Sequence, residues 1–353
     1  MERAADRKAR VAEELAVLYP KYEQYFTSAH QYTFLRKIGS GVNAQGLLFQ
    51  TTSGEKRVVK FAYSAKLNKS DEADPQILNE RDVLARLGHS EHIVQLIGEN
   101  IDESKIPRPA LVVEYLNNGT LKEFCQKIDA IKKPVPNLTR AAIGMAYPPW
   151  QGGERETIKT EQNPSCLMHA DFHDENVLFD DLTVGDIEHK LVLVLKVIDF
   201  SKAEFLAGQA ARVEAQHVYD IARLVTAAIR KKYAITRDEN QTLEVLDSDG
   251  NNPTQMVVFT DPILWDDPNT HLLAELRHLL LRCQTPEEDW AKRPTLKQVL
   301  DQCERAVRTY LPLNYAGIVG YDVLNETDDR IRDLLQQTIF DAPQDDPPPT
   351  GTT

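Results

Sequence analysis

Residues 169–176 read His-Ala-Asp-Phe-His-Asp-Glu-Asn, and residues 197–200, at the end of a later apolar run, read Val-Ile-Asp-Phe. These segments place Asp171, Asn176 and Asp199 on loops that flank apolar stretches predicted to be strands. Polar side chains in such a setting are costly unless they bind something. An aspartate, an asparagine five residues later and a second aspartate after an apolar run therefore indicate a binding or reaction site.

This pattern resembles the catalytic loop and the metal-binding motif of protein kinases, which read H-R-D-L-x-x-x-N and D-F-G. The resemblance covers residues 32 to 303. It implies transfer of the γ-phosphoryl group of ATP, in which Asp171 orients the attacking hydroxyl while Asn176 and Asp199 hold Mg²⁺ on the triphosphate. Both metal-binding residues offer oxygen ligands, which Mg²⁺ prefers.

A lysine interrupts the apolar stretch Val-Val-Lys-Phe-Ala at residues 58–62. The charge of Lys60 needs a destination, and a phosphate together with a carboxylate is a suitable one. Glu80, twenty residues later on a predicted helix, is similar to the glutamate that pairs with this lysine in protein kinases. The spacing and the order strand-then-helix favour the ion pair over the alternative, a surface lysine and an unrelated surface glutamate.

Residues 38–46 read Ile-Gly-Ser-Gly-Val-Asn-Ala-Gln-Gly. Glycines let a backbone approach phosphates and direct its N–H groups at them. The kinase pattern puts its third glycine where this chain has Ala44, so Gly46 takes that role if the loop is longer. The resemblance assigns nucleotide contacts here to Ile38, Gly39, Gly41 and Gly46. The alternative is a tight hairpin without a ligand.

The stretch Leu-Val-Val-Glu-Tyr-Leu at residues 111–116 resembles the hinge of protein kinases. The resemblance implies that backbone groups of Glu114 and Leu116 bind the adenine edge and that Val113 borders the adenine pocket. A buried strand without a ligand is the alternative.

Hydrophobic periodicity predicts a strand-rich segment followed by a mostly helical one, and the resemblance to protein kinases implies an α+β fold with two lobes. The smaller lobe has five predicted strands and one main helix: strands over 32–38, 46–51, 57–62, 92–98 and 110–115, and a helix over 75–87. The larger lobe is mostly helical: helices over 120–131, 138–147, 217–232, 271–283 and 296–310, a short strand pair over 177–179 and 191–198, a loop over 148–165, and a hairpin within 242–258.

These elements predict a modular chain. The segments are an N-terminal helical extension at 1–31, the small lobe at 32–116, the large lobe at 117–310, a C-terminal extension at 311–340 and a disordered tail at 341–353. The prolines of the last segment are typical of disorder.

Four departures from the kinase pattern bear on function. Ala170 replaces the arginine that meets a phosphorylated activation loop, Ser201 replaces the glycine of D-F-G, and His173 replaces a lysine that contacts the transferred phosphate in many protein kinases. The predicted helix at 217 begins only 18 positions after Asp199, which is short for a peptide-docking segment. This short segment, with Ser201 and Ala44, also allows a pseudokinase scaffold that binds protein partners without catalysis.

A second resemblance leaves two classes of phosphoryl acceptor possible. Small-molecule phosphotransferases of the aminoglycoside and choline kinase type show H-G-D-x-H-x-x-N and Y-D-L-A, similar to residues 169–176 and to Tyr-Asp-Ile-Ala at 219–222. Against this, Arg-Pro-Thr at 293–295 and the hinge resemble protein kinases. We expect a protein Ser/Thr hydroxyl as the acceptor, with a small-molecule hydroxyl as the alternative.

Composition sets the remaining expectations. The 353 residues carry a net charge of −13, which argues against nucleic-acid and anionic-membrane partners because both require a basic face. The scattered cysteines lack metal-binding spacing and predict a reduced intracellular protein, cytoplasmic or nuclear. The cysteines are Cys125, Cys166, Cys283 and Cys303. No secretory signal or membrane-spanning run is visible.

Overall fold

The computed structural model describes residues 4–40, 44–63, 70–133, 136, 166–181, 193–230, 239–246, 253–260, 264 and 271–341. The chain divides into two compact units. The first contains residues 1–116, 169–171 and 197–204, and the second contains residues 117–168, 172–196 and 205–353. Each unit is described by itself.

The first unit contains an antiparallel sheet of four strands within the described residues, in the order β1-β2-β3-β4. The strands are β1 (Thr33–Ser40), β2 (Ala44–Gln50), β3 (Lys56–Ala62) and β4 (Ala110–Glu114). A tight turn joins β2 to β3, where the Thr51 N–H donates to the Glu55 carbonyl at 2.8 Å. The predicted strands over 46–51 and 57–62 therefore form an antiparallel hairpin.

The prediction of a fifth strand over 92–98 is wrong. This segment makes only isolated bridges, from Ile93 to Val197 and from Leu96 to Val113. Its two ends pair with different partners, and the Gln95 side chain donates to the carbonyls of Ser90 and Ile93 at 2.5 Å each. Continuous pairing with β4 is therefore lost. The α+β class, with a small antiparallel sheet near the N-terminus, is confirmed.

Two helices complete the first unit, α1 (Ala4–Ala29) and α2 (Ser70–Leu87). Helix α1 lies within the N-terminal extension predicted at 1–31. Helix α2 is longer than predicted, because it begins at Ser70, five residues before the expected start at 75. Helix α1 contributes to the same core as the sheet. Its buried side chains there are Leu15, Leu18, Tyr22, Tyr25 and Phe26.

The second unit has helices α3 (Leu121–Ile131), α4 (Ala210–Arg230), α5 (Ala274–Cys283), α6 (Leu296–Thr309) and α7 (Asp328–Leu335). Helix α3 begins at a capping box, because the Thr120 side chain accepts from the Glu123 N–H while Glu123 bonds back. Residues from all five helices form one hydrophobic core.

Helix α4 begins at Ala210 rather than at the predicted residue 217. Its first turn is apolar enough to bury Val213, and the Val213 N–H donates to the Gln209 carbonyl at 2.9 Å. The connection from Asp199 to this helix is therefore even shorter than the sequence suggested. The segment expected to carry a peptide-docking surface is reduced to residues 200–209.

Several short strands and one hairpin follow α3 along the chain. Strands β5 (Leu167–Met168), β6 (Val177–Phe179), β7 (Leu195–Val197) and β8 (Glu204–Phe205) precede α4, and β6 pairs with β7 as predicted. Strands β9 (Glu239–Leu246) and β10 (Pro253–Thr260) form the expected antiparallel hairpin. One face of this hairpin packs on the core through Val245 and Val258.

Several expectations lie outside the described residues: the helix over 138–147, the loop over 148–165 and almost all of the tail over 341–353. Within the described part of the chain, no helix is both long enough and apolar enough to cross a membrane.

Candidate functional site

The centre of the first unit is an ion cluster. The Nζ of Lys60 on β3 lies 2.7 Å from Oε2 of Glu80 on α2 and 2.9 Å from Oδ1 of Asp199. Strand alternation explains the direction of Lys60, because Val59 and Phe61 on either side are fully buried in the core. The structure thus brings together three residues that are far apart in sequence.

Burial and charge compete in this cluster. Burial disfavours the charge of Lys60, but the Glu80 and Asp199 carboxylates outweigh it and raise the Lys60 pKa. Burial raises the pKa of Glu80 to about 6 in spite of Lys60. Burial also opposes the charge of Asp199, but Lys60 holds its pKa below the ordinary value. At neutral pH, Asp199 is ionised and Lys60 is charged.

Asp199 has a left-handed backbone, with φ 63° and ψ 69°. It caps a short 3-10 turn, Phe200–Lys202, by accepting from the Ser201 N–H at 3.4 Å. Among the described non-glycine residues with positive φ, Asp199 and Ala170 belong to this region, and Ser201 does not. Serine therefore replaces the expected glycine without adopting a conformation that glycine alone favours.

Asp171 follows a strained position, Ala170 with φ 59°. The buried ring of His169 supports it, since the Asp171 N–H donates to its Nδ1 at 3.3 Å while Nε2 lies 3.0 Å from the Ile198 carbonyl. The His169 ring also meets the edge of Phe200, with ring centroids 4.7 Å apart. These contacts link the segment that carries Asp171 to the segment that carries Asp199.

His173 and Asn176 belong to the second unit. His173 caps the turn Asp174–Asn176, where its Nδ1 accepts from the Glu175 N–H at 3.3 Å. The amide nitrogen of Asn176 lies 3.2 Å from Nε2 of His173. The Lys122 ammonium pairs with the Glu175 carboxylate on the exposed side of this turn. The local structure holds Asn176 buried at the end of the loop.

The predicted glycine segment is partly described. Gly39 has φ 46°, which a side chain would disfavour, and Gly41 lies outside the described residues. Gly46 is inside β2 rather than in the loop, directly opposite Ile38. A Cβ at Gly46 would lie 2.9 Å from the Ile38 carbonyl oxygen. Close packing of β1 on β2 thus explains this glycine.

Gln45 was not singled out from the sequence. Its side chain is buried, and its Nε2 donates to the carbonyls of Ile38 at 2.9 Å and Gly39 at 2.5 Å. These bonds hold the base of the glycine segment. A glutamine between Ala44 and Gly46 gives no sequence signal for this role.

The hinge residues lie at the end of β4. Val113 and Leu116 are buried. The Glu114 N–H donates to the Gln95 carbonyl at 3.1 Å, and its carboxylate accepts from the Gln95 N–H at 2.7 Å. The backbone N–H of Glu114 is therefore occupied within the protein.

Two further residues of this region were missed. Asn79, next to Glu80, donates from Nδ2 to the Ala203 carbonyl at 2.9 Å and is within 3.4 Å of the carbonyls of Phe200 and Ser201. Lys202 forms an ion pair of 2.8 Å with Oδ1 of Asp171. Their proximity to Glu80 and Asp199 in the sequence was the available signal.

Asp199 and Asn176 are the predicted metal-binding residues. Within the described residues, the Lys60 ammonium and the Ser201 N–H donate to Oδ1 of Asp199, and the Ser201 side chain also bonds to this carboxylate. The same residues contain no group of three His, Cys, Asp or Glu side chains that could hold a metal. A carboxylate and an amide oxygen suit Mg²⁺, which takes few protein ligands beside phosphate and water.

Sequence comparison supplies one match. A family model described as the protein kinase domain matches residues 32–222, which is more than half of the 353 residues. The match begins where the resemblance was expected to begin. It ends inside α4 instead of extending to residue 303, before the hairpin formed by β9 and β10. No curated protein matches the chain.

Proposed function

Because the chain belongs to the protein kinase domain family, we propose that it transfers the γ-phosphoryl group of ATP to a Ser or Thr hydroxyl of a protein. The observation that carries this proposal is the ion cluster of Lys60 with Glu80 and Asp199. A lysine held between two carboxylates is positioned and charged, which is what phosphate binding needs.

Asp171 orients the acceptor hydroxyl and receives its proton. The hydroxyl oxygen forms a bond to the γ-phosphorus, the bond from that phosphorus to the bridging oxygen breaks, and ADP leaves. Lys60 binds phosphate oxygens, and Glu80 positions Lys60. Most of the rate enhancement then comes from positioning and charge neutralisation, since little covalent chemistry falls to the protein.

Mg²⁺ supplies charge neutralisation at the phosphates when it is bound. Asp199 and Asn176 are the residues that would hold it, because both offer oxygen ligands. His173 is placed near the reacting groups by the resemblance alone. The contacts of its imidazole with Glu175 and Asn176 indicate that it supports Asn176.

The nucleotide itself would contact the glycine segment and the hinge. Ile38, Gly39 and Gly41, with Gly46 at the strand beneath them, would cover the phosphates. Backbone groups of Glu114 and Leu116 would bind the adenine edge, and Val113 would border the adenine pocket.

A small-molecule hydroxyl is a second candidate acceptor. It is favoured by the start of α4 at Ala210, which leaves ten residues after Asp199 for any peptide-docking surface. Phosphorylation of a Ser/Thr peptide library, compared with a panel of small hydroxyl compounds, distinguishes the two acceptors. Transfer to peptides alone supports the protein acceptor, and transfer to small compounds alone contradicts it.

The proposed setting is intracellular. The four cysteines are free, as in a reducing compartment, and the charge of −13 disfavours nucleic acid and anionic membranes as partners. The segments 1–31, 32–116, 117–310, 311–340 and 341–353 are proposed as the modular organisation of this kinase.

The decisive test measures thermal unfolding with and without Mg·ATP. A ligand at ~100 times its dissociation constant adds ~2.7 kcal/mol, so wild type should show a magnesium-dependent rise in midpoint. Asp199→Asn should lose this rise, and the exposed control Asp301→Asn should keep it. Asp171→Asn should keep the rise but lose phosphoryl transfer to the peptide library.

Two outcomes contradict the proposal. No rise in wild type would favour a scaffold that binds partners without nucleotide. Equal transfer by Asp171→Asn and wild type would remove Asp171 from the reaction.

A further inference from the structure

The ion pair between Lys202 and Asp171 places a cation beside the residue proposed to orient the acceptor. Lys202 Nζ lies 2.8 Å from Asp171 Oδ1, and the Lys202 side chain is 53% exposed. An ammonium has three donors, so one bond to Asp171 leaves two for another anion. The exposure of the side chain makes these donors accessible to a ligand.

The backbone beneath Lys202 is fixed on both sides. Asn79 Nδ2 donates to the Ala203 carbonyl at 2.9 Å and lies 3.3 Å from the Ser201 carbonyl. The Glu80 carboxylate also accepts from the Phe200 N–H. Helix α2 therefore holds both Lys60, through Glu80, and the turn that ends at Lys202. These hydrogen bonds therefore fix the backbone position of Lys202 within the unit.

The carboxylates around Lys60 and Asp171 favour a second cation in addition to Lys60. Glu80, Asp171 and Asp199 contribute three carboxylates, and the Lys60 ammonium is already bonded to two of them. A γ-phosphate carries further negative charge on its three outer oxygens. Lys202 is the other described lysine bonded to one of these three carboxylates. It is thus the cation placed to offset a phosphate near Asp171.

His173, at the position where the kinase resemblance leads one to expect a phosphate-binding lysine, has a different local role. Its Nδ1 accepts from the Glu175 N–H and its Nε2 lies beside the Asn176 amide. An imidazole committed to its own turn is a poor substitute for an ammonium. The positive charge in this chain comes from a residue three positions after Asp199 instead.

We propose that Lys202 is a catalytic residue that binds the γ-phosphate of ATP and stays protonated while the phosphoryl group moves. This inference rests on the proposed function. The acceptor oxygen bonds to the γ-phosphorus, ADP leaves with the bridging oxygen, and the hydroxyl proton passes to Asp171. Lys202 offsets the charge on the outer phosphate oxygens throughout, and in the absence of nucleotide it pairs with Asp171.

The test compares two nucleotides by calorimetry, so it needs no acceptor. Dissociation constants of Mg·ADP and of the Mg²⁺ complex of the non-hydrolysable β,γ-imido analogue of ATP are measured for wild type and Lys202→Met. A lost charge-assisted bond weakens binding of the imido analogue about 10- to 100-fold. Binding of Mg·ADP, which lacks the γ-phosphate, should stay within about twofold of wild type.

Two control variants complete the design. Lys202→Arg keeps the charge and should restore most of the preference for the triphosphate. Lys105→Met removes a lysine from another exposed ion pair of the first unit, 2.9 Å from Asp102, and should change neither constant. Unchanged thermal midpoints without nucleotide verify that the variants fold, and Lys202→Gln replaces Lys202→Met if that variant does not.

The outcomes separate this inference from the proposed function. If wild type binds both nucleotides and Lys202→Met weakens the binding of both to the same degree, or of neither, Lys202 does not recognise the γ-phosphate. The proposed function then stands. A tighter complex with the imido analogue in Lys202→Met would mean that the ion pair with Asp171 opposes nucleotide binding, which also overturns the inference. Binding of neither nucleotide by wild type overturns both.

Discussion

The ring of Tyr22 in α1 stacks on the ring of Phe61 in β3, with centroids 4.0 Å apart and planes inclined by 20°. Both side chains are fully buried, and the Tyr22 hydroxyl donates to the Arg108 carbonyl at 2.7 Å. Phe61 directly follows Lys60 on the strand. The N-terminal helix is therefore packed against the back of the strand that carries the site lysine.

Replacing Tyr22 with Ala should lower the free energy of unfolding by about 3–5 kcal/mol, because a large buried ring and its stacking partner are lost. Tyr22→Phe keeps the ring and should cost only the hydroxyl bond, about 0.5–1.5 kcal/mol. Urea denaturation followed by circular dichroism measures both. Val17→Ala, at a position on α1 that is 57% exposed, is the control and should change little. A loss below about 1 kcal/mol in Tyr22→Ala would mean that α1 is not part of the core.

Arg108 joins α1 to α2. Its Nη2 lies 3.0 Å from the Glu14 carboxylate and its Nη1 lies 3.4 Å from the Asp74 carboxylate. Arg108→Met keeps the aliphatic stem but leaves two half-buried carboxylates without this guanidinium, so we expect a loss of ~1–2 kcal/mol of stability. A double-mutant cycle with Glu14→Gln should give a measurable coupling energy.

The exposed pair Lys105–Asp102 in the same segment is the comparison for Arg108. Its lysine is 68% exposed, and a cycle on that pair should give little or no coupling. Equal coupling energies for the two pairs would show that Arg108 makes only a surface contact.

The close packing of β1 on β2 requires glycine at position 46, and its substitution should lower the free energy of unfolding. The Cβ of Gly46→Ala would lie 2.9 Å from the Ile38 carbonyl oxygen, with Ile38 Cγ1 at 3.1 Å. The strands must separate, so we expect a loss of about 1–3 kcal/mol and a smaller Mg·ATP-induced rise in midpoint. Gly98→Ala, where a Cβ has nothing within 4 Å, is the matched control. Wild-type stability in Gly46→Ala would contradict the packing explanation.

The order of the elements was readable from the sequence because hydrophobic periodicity determines the buried face of each strand and helix. The pairing of Lys60 with Glu80 was also predictable, since a charge on a buried strand needs a partner. Helix starts were less accurate: α4 extends back to Ala210 through a stretch whose few apolar residues gave a weak pattern.

Other features depend on tertiary contacts that no local pattern reports. The segment over 92–98 has strand-like composition, yet its bridges go to Val197 and Val113, which are distant in sequence. The positive φ at Asp199 rather than at Ser201 depends on the bonds that hold the turn. The contact of Lys202 with Asp171 appears only when the two segments meet.

Asp220 on α4 should make stability depend on pH. Burial raises its pKa to about 7, although Gln216 donates to its carboxylate at 2.9 Å and Arg223 and Arg293 attract the charged form. The folded pKa exceeds the unfolded one, so the folded state holds this proton more tightly. Its stabilising contribution is complete below about pH 4 and is lost as the pH rises through about 7.

Asp220→Asn replaces the titrating carboxyl with a neutral group of the same shape. We expect its free energy of unfolding to exceed that of wild type at pH 8, by at most roughly 4 kcal/mol, and to exceed it by clearly less at pH 5, because most of the loss in wild type occurs between these two pH values. Urea unfolding between pH 5 and 8 measures the difference. Asp301→Asn removes an exposed carboxylate paired with Lys297 and should leave the pH dependence unchanged. A difference between Asp220→Asn and wild type that is constant with pH would mean that Asp220 is ionised throughout this range.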